Sequence, residues 1–421
     1  MNKQSVAWRK LFETYDIVNR INTDGEFYIT ARQIKQGTEE EARTMAKFDC
    51  TSALPEPFRE NNISILPVRN GTYVLSDFIL YEPVPEMGEV VRQMPKPYYE
   101  TVNERSESNV INQLILSKIL DDFLDADNLQ ETFHGRQRTG EFDFTVDTYS
   151  GEKRTVHVDG VQLEIDGGFE DNNIIAIMEA KNVLNDDFIV RQLYYPYRMW
   201  QNEVTKQIRL IFAVYSNEIY ALHEYKFTDP DDYSSIELVR SGFYTLVDDL
   251  LISFDELDSI RRTSEPETQN IPFPQCDRFD RIINLLDILN ERGAMTADDI
   301  ADAMEFTKRQ ADYYFNGGAY LGLFTKDENK RRKLTRMGEL IAKMAYKPKQ
   351  LALVRQILRH DMFKDLYDEM RENEAIPPLQ RIMELMSGYC TDFDAPMLRR
   401  RGQTVMAWLR WIERLTLITT E

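Results

Sequence analysis

One stretch, Val161 to Asn182, constrains this chain more than any other; it reads VQLEIDGGFEDNNIIAIMEAKN. Two apolar runs, VQLEI and IIAIM, flank a Gly- and Asn-rich turn, the pattern of a β-hairpin. A two-residue turn at Asn172-Asn173 fixes the register, since asparagine tolerates the left-handed backbone of a tight hairpin. Asp166 then faces Glu179, and Glu164 faces Lys181. Side chains alternate along a strand, so all four share one face. Leu163, Ile165, Met178 and Ala180 share the other, where they can pack on a helix. A slip of one residue would break this arrangement. Carboxylates held this close repel unless something positive joins them. A hard cation, Mg²⁺ or Mn²⁺, does so while keeping waters and accepting phosphate oxygens. Lys181 can orient an attacking water or offset charge on a phosphate. The bland alternative is a solvated, salt-bridged strand face.

The flanks place this hairpin in an α/β core. ERSESNVINQLILSKILDDFL, residues 104–124, gives an amphipathic helix capped by Ser106 or Ser108. Strand-like EFDFTVDT, TVHVDGVQLEID and NIIAIMEAKN follow. FIVRQLYYPYRMW reads as a helix that Pro196 should kink or interrupt, and RLIFAVYS and EIYALHEYKF as two more strands. The His134–Arg138 stretch reads as a polar loop. Helix, antiparallel strands, helix, strand, strand predicts a mixed sheet. Residues 1–95 mix a helix over Val6–Ile21 with a hairpin around Asn70-Gly71, and a Pro-rich crossing closes them. We therefore expect an N-terminal α+β region over 1–95, serving as scaffold or DNA-reading lobe, and the α/β core over 96–270.

A different pattern begins at residue 276. DRIINLLDILNERG is a helix ending at Gly293; Thr296 and Thr307 cap two more helices; a ribbon and a closing helix follow. That order is the pattern of a winged helix over 276–348, followed by a helical extension over 349–421. Thr307, Lys308, Arg309 and Gln310 open its third helix, where Arg and Lys suit guanine or phosphate and Gln suits adenine. Lys330, Arg331, Arg332 and Lys333 sit at the ribbon tip, where a wing meets the DNA backbone. A winged helix can also serve protein contacts alone. Trp408 and Trp411 read as core.

Charge supports this division. Residues 1–275 carry 27 basic and 48 acidic side chains, and the remaining residues 24 and 23, within a net charge of −20. Such acidity argues against a nonspecific nucleic-acid coat. No GxxxxGK[ST] loop is present, so no nucleotide cofactor is expected. No run of about 18 apolar residues suits a membrane span. Three dispersed cysteines fit a reducing cytoplasm, and four scattered histidines give no zinc spacing.

Asp166, then twelve residues, then Glu179-Ala180-Lys181 resembles the PD-(D/E)xK nuclease motif, with Ile165 in place of its proline. LEIDGGFE with IMEAKN and DFIVRQLYYPYR looks closer to type II restriction endonucleases than to repair or junction-resolving members, and the ending RRRGQTVMAWLRWI is similar to those of restriction enzymes carrying a winged helix. The motif resemblance covers about residues 104–225. It implies that Asp166 and Glu179 bind metal and that Lys181 is the catalytic lysine, with Gln192 on the following helix near the site. It implies Glu107 as a further acidic ligand, and Glu164 is a second choice. The expected activity is Mg²⁺-dependent, sequence-specific hydrolysis of double-stranded DNA, leaving 5′-phosphates. A structure-specific, repair or modification-dependent nuclease is an alternative. So is a winged-helix regulator with an inactive nuclease-like domain. Cutting both strands needs two active sites or two visits to one, so a homodimer on DNA stays open.

Overall fold

The computed structural model describes residues 3–98, 106–267, 273–390 and 392–421. The chain divides into two compact units. The first comprises 1–86, 97–214 and 221–242, and the second 87–96, 215–220 and 243–421.

Where one helix was expected over residues 6–21, two form: α1 (Lys3–Tyr15) and α2 (Ile17–Asp24). Asp16 between them is left-handed, at φ 50°, which no continuous α-helix permits. β1 (Phe27–Thr30) runs into α3 (Ala31–Thr38) through a capping box of Thr30 and Gln33. The short helices α4 (Ala42–Met45) and α5 (Glu56–Glu60) follow. The Asn70-Gly71 turn joins β2 (Ser64–Arg69) to β3 (Thr72–Ser76), antiparallel as expected. β4 (Tyr81–Pro83) stays in the first unit, while β5 (Val90–Gln93) belongs to the second.

The helix expected over 104–124 is also two, α6 (Glu107–Leu116) and α7 (Ile119–Leu124), split at Lys118 with φ 62°. Residues 104–105 lie outside the described residues. Then come β6 (Gln130–Arg138), β7 (Glu141–Asp147), β8 (Lys153–Asp159), β9 (Gln162–Glu170), β10 (Ile174–Lys181) and β11 (Asp187–Ile189). The stretch read as a loop at His134–Arg138 is the end of β6. α8 (Arg191–Trp200) runs through Pro196 without interruption. β12 (Gln207–Ser216) and β13 (Ile219–Phe227) fall where the sequence placed them, and β14 (Ile236–Thr245) was not anticipated.

One sheet has the order β1-β3-β2-β8-β7, so strands from both sides of residue 95 share it. The other has the order β14-β13-β12-β10-β9-β6. β9 and β10 are antiparallel, while β10 and β12 are parallel over all eight residues of β10, with α8 in the crossover. The sheet is therefore mixed, and β10 lies inside it, buried along its whole length. Phe144, Ile165, Ile177, Phe188, Tyr194 and Tyr195 belong to the central apolar cluster. A second cluster surrounds Trp8, whose ring meets Phe58 edge-on at 4.7 Å and whose Nε1 donates to the Met45 carbonyl at 2.8 Å. Trp8 thereby ties α1 to α4.

The second unit is mostly helical. α9 (Phe254–Thr263) starts in a Ser253/Glu256 capping box. α10 (Phe279–Arg292) ends at Gly293, where φ is 75°. Thr296 caps α11 (Ala297–Ala303) and Thr307 caps α12 (Lys308–Tyr320), each through a capping box. β15 (Phe324–Lys326) and β16 (Arg332–Leu334) form the antiparallel ribbon, and Met295 bridges to Arg332 beside it. α13 (Arg336–Ala342) closes onto the ribbon at Gly338, where a Cβ would stand 2.3 Å from the Leu323 carbonyl oxygen. α14 (Tyr346–Ile357), α15 (Asp361–Asn373), α16 (Leu379–Tyr389) and α17 (Ala395–Leu417) follow, then the short β17 (Thr419–Thr420). In this unit β5 pairs with β17 and with Tyr244 and Thr245. Trp408 and Trp411 are buried, as read from the sequence. Among the described residues, no helix is long and apolar enough to cross a membrane.

Trp8→Ala should destabilise the first unit by about 3–5 kcal/mol, because it opens a large cavity and orphans the Met45 carbonyl. Urea unfolding followed by tyrosine and tryptophan fluorescence measures this; a loss below about 1 kcal/mol would mean α1 is not integral to the unit.

Candidate functional site

The hairpin register follows from a short ladder. Ile175, Ala176, Ile177 and Met178 pair with Glu170, Phe169, Gly168 and Gly167, the spacing expected from the sequence. The turn chemistry differs from that expectation. Neither asparagine is left-handed; instead the Asp171 carboxylate accepts the backbone N–H groups of Asn173 and Ile174, both at 2.7 Å. Those bonds, that from Ile174 first, hold the Asp171 carboxyl below the usual carboxylate range.

The ladder stops one residue before Asp166. There the Asp166 Oδ2 accepts the Ala180 N–H at 3.0 Å, so a side chain completes the bond that the strand would otherwise make. The ladder does not extend to Glu164 and Lys181. Glu164 pairs through its backbone with Arg136 of β6, and its carboxylate meets Arg43 at 3.0 Å in an exposed ion pair. Glu164 still lines the cleft that holds Asp166, Glu179 and Lys181.

Glu179 and Lys181 are buried, at 5% and 4% exposure, whereas an open strand face would have left them in solvent. Lys181 Nζ lies 2.8 Å from Glu179 Oε1, 3.8 Å from Glu107 Oε1 and 3.9 Å from Asp49 Oδ2. Glu107 is the first residue of α6, which Ser106 caps by accepting the Asn109 N–H. Gln192, on the first turn of α8, donates its Nε2 to Glu179 Oε1. Burial raises the Glu179 carboxyl well above its usual range, against the pull of Lys181. Among the described residues, no group of three or more His, Cys, Asp or Glu side chains is arranged as it stands to hold a metal ion. The Lys181 ammonium occupies the space among the acids.

Sequence reasoning missed Asp49, which no motif marks. Its backbone carbonyl accepts the Ile189 N–H at 2.8 Å, and the neighbouring Thr51 binds Asp187 through its N–H at 2.7 Å and through its hydroxyl. These contacts fix the segment after α4 against β11. Burial would raise the Asp49 carboxyl, but Lys181, then Lys47 and Arg191, bring it below the usual range. Asp49, Glu107, Asp166, Glu179, Lys181 and Gln192 line a cleft of about 600 Å³ within the first unit. Arg43, Lys47 and Arg69 from the N-terminal region, with Arg191, put cations on a cleft that also holds the acids.

In the second unit, six of the eight residues expected at DNA have local side-chain partners. Thr307 and Gln310 satisfy each other in the capping box. Lys308 pairs with Asp298 at 2.9 Å, and Arg309 Nε donates to Tyr313 Oη at 2.5 Å. Arg331 pairs with Asp327 at 2.8 Å, and Arg332 with Asp312 at 2.5 Å, its guanidinium also over the Phe315 ring. Lys330, left-handed at φ 60°, and Lys333 are exposed at the ribbon tip.

Three family models match the chain, each a domain of unknown function. Residues 5–75 are similar to DUF6996, 76–245 to DUF6997 and 281–417 to DUF7226. Among curated proteins and solved structures, nothing matches.

The raised Glu179 has a pH signature. A carboxyl whose folded pKa lies above its unfolded value favours folding most below the unfolded pKa, and that contribution is lost as pH rises through the folded value. Glu179→Gln removes the loss, so its stability relative to the native protein should increase from pH 5 to pH 8. Urea unfolding with a chelator present tests this. A difference that is flat, or that falls with pH, would place the Glu179 carboxyl at or below its ordinary range.

Proposed function

We propose that the first unit is a PD-(D/E)xK-type DNA endonuclease and that the protein acts as a type II-like restriction enzyme leaving 5′-phosphates. The observation that supports this is the gathering of Asp166, Glu179, Lys181 and Gln192 around the end of one hairpin, in a cleft bounded by α6 and α8. The mixed sheet, with an antiparallel β9–β10 and a parallel β10–β12 joined through α8, is the framework that such a motif calls for.

The donor chemistry, though not the arrangement as it stands with Lys181 among the acids, suits a hard divalent cation. Asp166 and Glu179 are the oxygen donors that would hold Mg²⁺ or Mn²⁺, with Glu107 within reach of the same lysine. Asp166 has its carboxylate orientation fixed by Ala180, and the buried Glu179 gains most from a cation, since burial disfavours its charged form. When bound, the cation supplies Lewis-acid stabilisation of charge on the scissile phosphate. Lys181 orients the attacking water or offsets charge on the phosphate, and Gln192 holds Glu179 in place. Arg43, Lys47, Arg69 and Arg191 let a polyanion approach a site otherwise rich in carboxylates.

We assign duplex binding to the α10–α13 assembly, read as a winged helix. Lys330 and Lys333 carry its positive tip. The ion pairs of Lys308 and Arg331 are partly exposed, and exposed pairs contribute only about 0–1 kcal/mol, so phosphate can displace their carboxylates. A homodimer on DNA would supply two active sites for the two strands.

Digestion of long, unmodified duplex DNA with and without Mg²⁺ tests the assignment. Discrete bands that need Mg²⁺ are expected. Smearing, or cutting only of branched or modified DNA, would move the protein to a different nuclease class. Binding without cutting would make it a regulator. Asp166→Ala, Glu179→Ala and Lys181→Ala should each lower the cleavage rate by about 10²–10⁴ with the fold intact; a variant that keeps full rate removes its residue from the site. Lys330→Glu with Lys333→Glu should weaken DNA binding and flatten its salt dependence by about two phosphate contacts. An unchanged slope in filter binding would leave the ribbon a structural element.

A further inference from the structure

Asp49 is a buried carboxylate without a well-aligned hydrogen bond, its near donors being two lysine ammoniums. Such a group is costly unless something else accounts for it. Its ion-pair neighbours are Lys47 Nζ at 3.3 Å and Lys181 Nζ at 3.9 Å. The Lys47 side chain is mostly exposed, whereas Lys181 is as buried as Asp49. Lys181 itself is held by Glu179 at 2.8 Å. A displacement of roughly 1 Å would bring its ammonium into hydrogen-bond range of Asp49 Oδ2.

We propose that Asp49 is the positioning residue for Lys181, a waiting acceptor that receives the ammonium when Glu179 turns from lysine to a divalent cation. This rests on the nuclease reading of the site. In the state described here Lys181 is hydrogen-bonded to Glu179 and lies among the acids. For Glu179 to ligate, the lysine has to leave it without entering water or losing its counter-charge, because a buried ammonium without a partner is strongly disfavoured. Asp49 offers that counter-charge 3.9 Å from Nζ. The handover keeps Lys181 charged and beside the cleft, where a phosphate arrives. It also gives residues 1–86 a role in the chemistry, since the Asp49 backbone is fixed to β11 by the Ile189 N–H whatever its side chain does.

The test is a double-mutant cycle on cation binding in the full-length protein without DNA, using Mn²⁺ and the loss of its free-ion paramagnetic resonance signal. Asp49→Asn should weaken Mn²⁺ binding on the order of 10-fold, the scale of outer partners at metal sites. In a Lys181→Met background, where no ammonium has to move, Asp49→Asn should change the affinity less than about twofold. Asp49→Glu, which restores a carboxylate, should recover part of the affinity. Circular dichroism and thermal unfolding check that each variant folds. Equal losses in both backgrounds would make Asp49 a direct ligand or a general electrostatic contributor and overturn the handover. No loss in either would leave Asp49 without a role. If the unaltered protein cuts DNA but the cycle shows no coupling, only this inference fails; if it neither binds Mn²⁺ nor cuts, the nuclease reading falls and takes the inference with it.

Discussion

A lysine and a glutamate buried side by side on an interior strand set the conditions for the first unit. β10 is covered on both faces, yet Glu179 and Lys181 alternate with its apolar residues. Removing two charges from water costs several kcal/mol per ion, and their mutual attraction repays this only with further partners. The surrounding elements supply them. The crossover from β10 to β12 places α8 so that Gln192 reaches Glu179, α6 brings Glu107 to the lysine, and the segment after α4 brings Asp49. Were β10 an edge strand with a solvated face, none of these contacts would be needed.

Much of the hairpin was legible because its information is local. Apolar alternation and a polar turn defined the register, and four ladder pairs carry it. The turn itself used a different device, an aspartate side chain satisfying two N–H groups, which reaches the same register by another route. The mixed order of the sheet was legible for the same reason, since a helix between two strands predicts a parallel pair. The cover over the charged face was not. Asp49 lies in another part of the chain, in a stretch with no motif, and local pattern does not report which distant segment will close a cleft. The helix breaks at Asp16 and Lys118 were equally hidden, because neither position carries the glycine or proline that usually marks one.

The second unit shows the other limit of reading by residue type. Its caps and ribbon were legible from Thr296, Thr307 and the basic tip. The same side chains that looked available for DNA turned out to have work within the fold. Gln310 completes a cap, and Arg332 is held by Asp312 and an aromatic ring. A basic residue advertises its charge in the sequence but not its partner, so a count of cations overstates the field presented to a polyanion.

The boundary between the segments similar to DUF6996 and DUF6997 falls at residues 75 and 76, inside β3. β3 lies between β1 and β2, and β2 meets β8 at the Arg69–Asp159 rung, so the two segments share one sheet. They share the cleft as well, one giving Asp49 and the other Lys181. A genetic exchange that replaced either segment alone would have to preserve that rung and the seat of a buried carboxylate. The two segments therefore meet both in a sheet and in a buried charge contact, and a change at Asp49 in one is felt at Lys181 in the other.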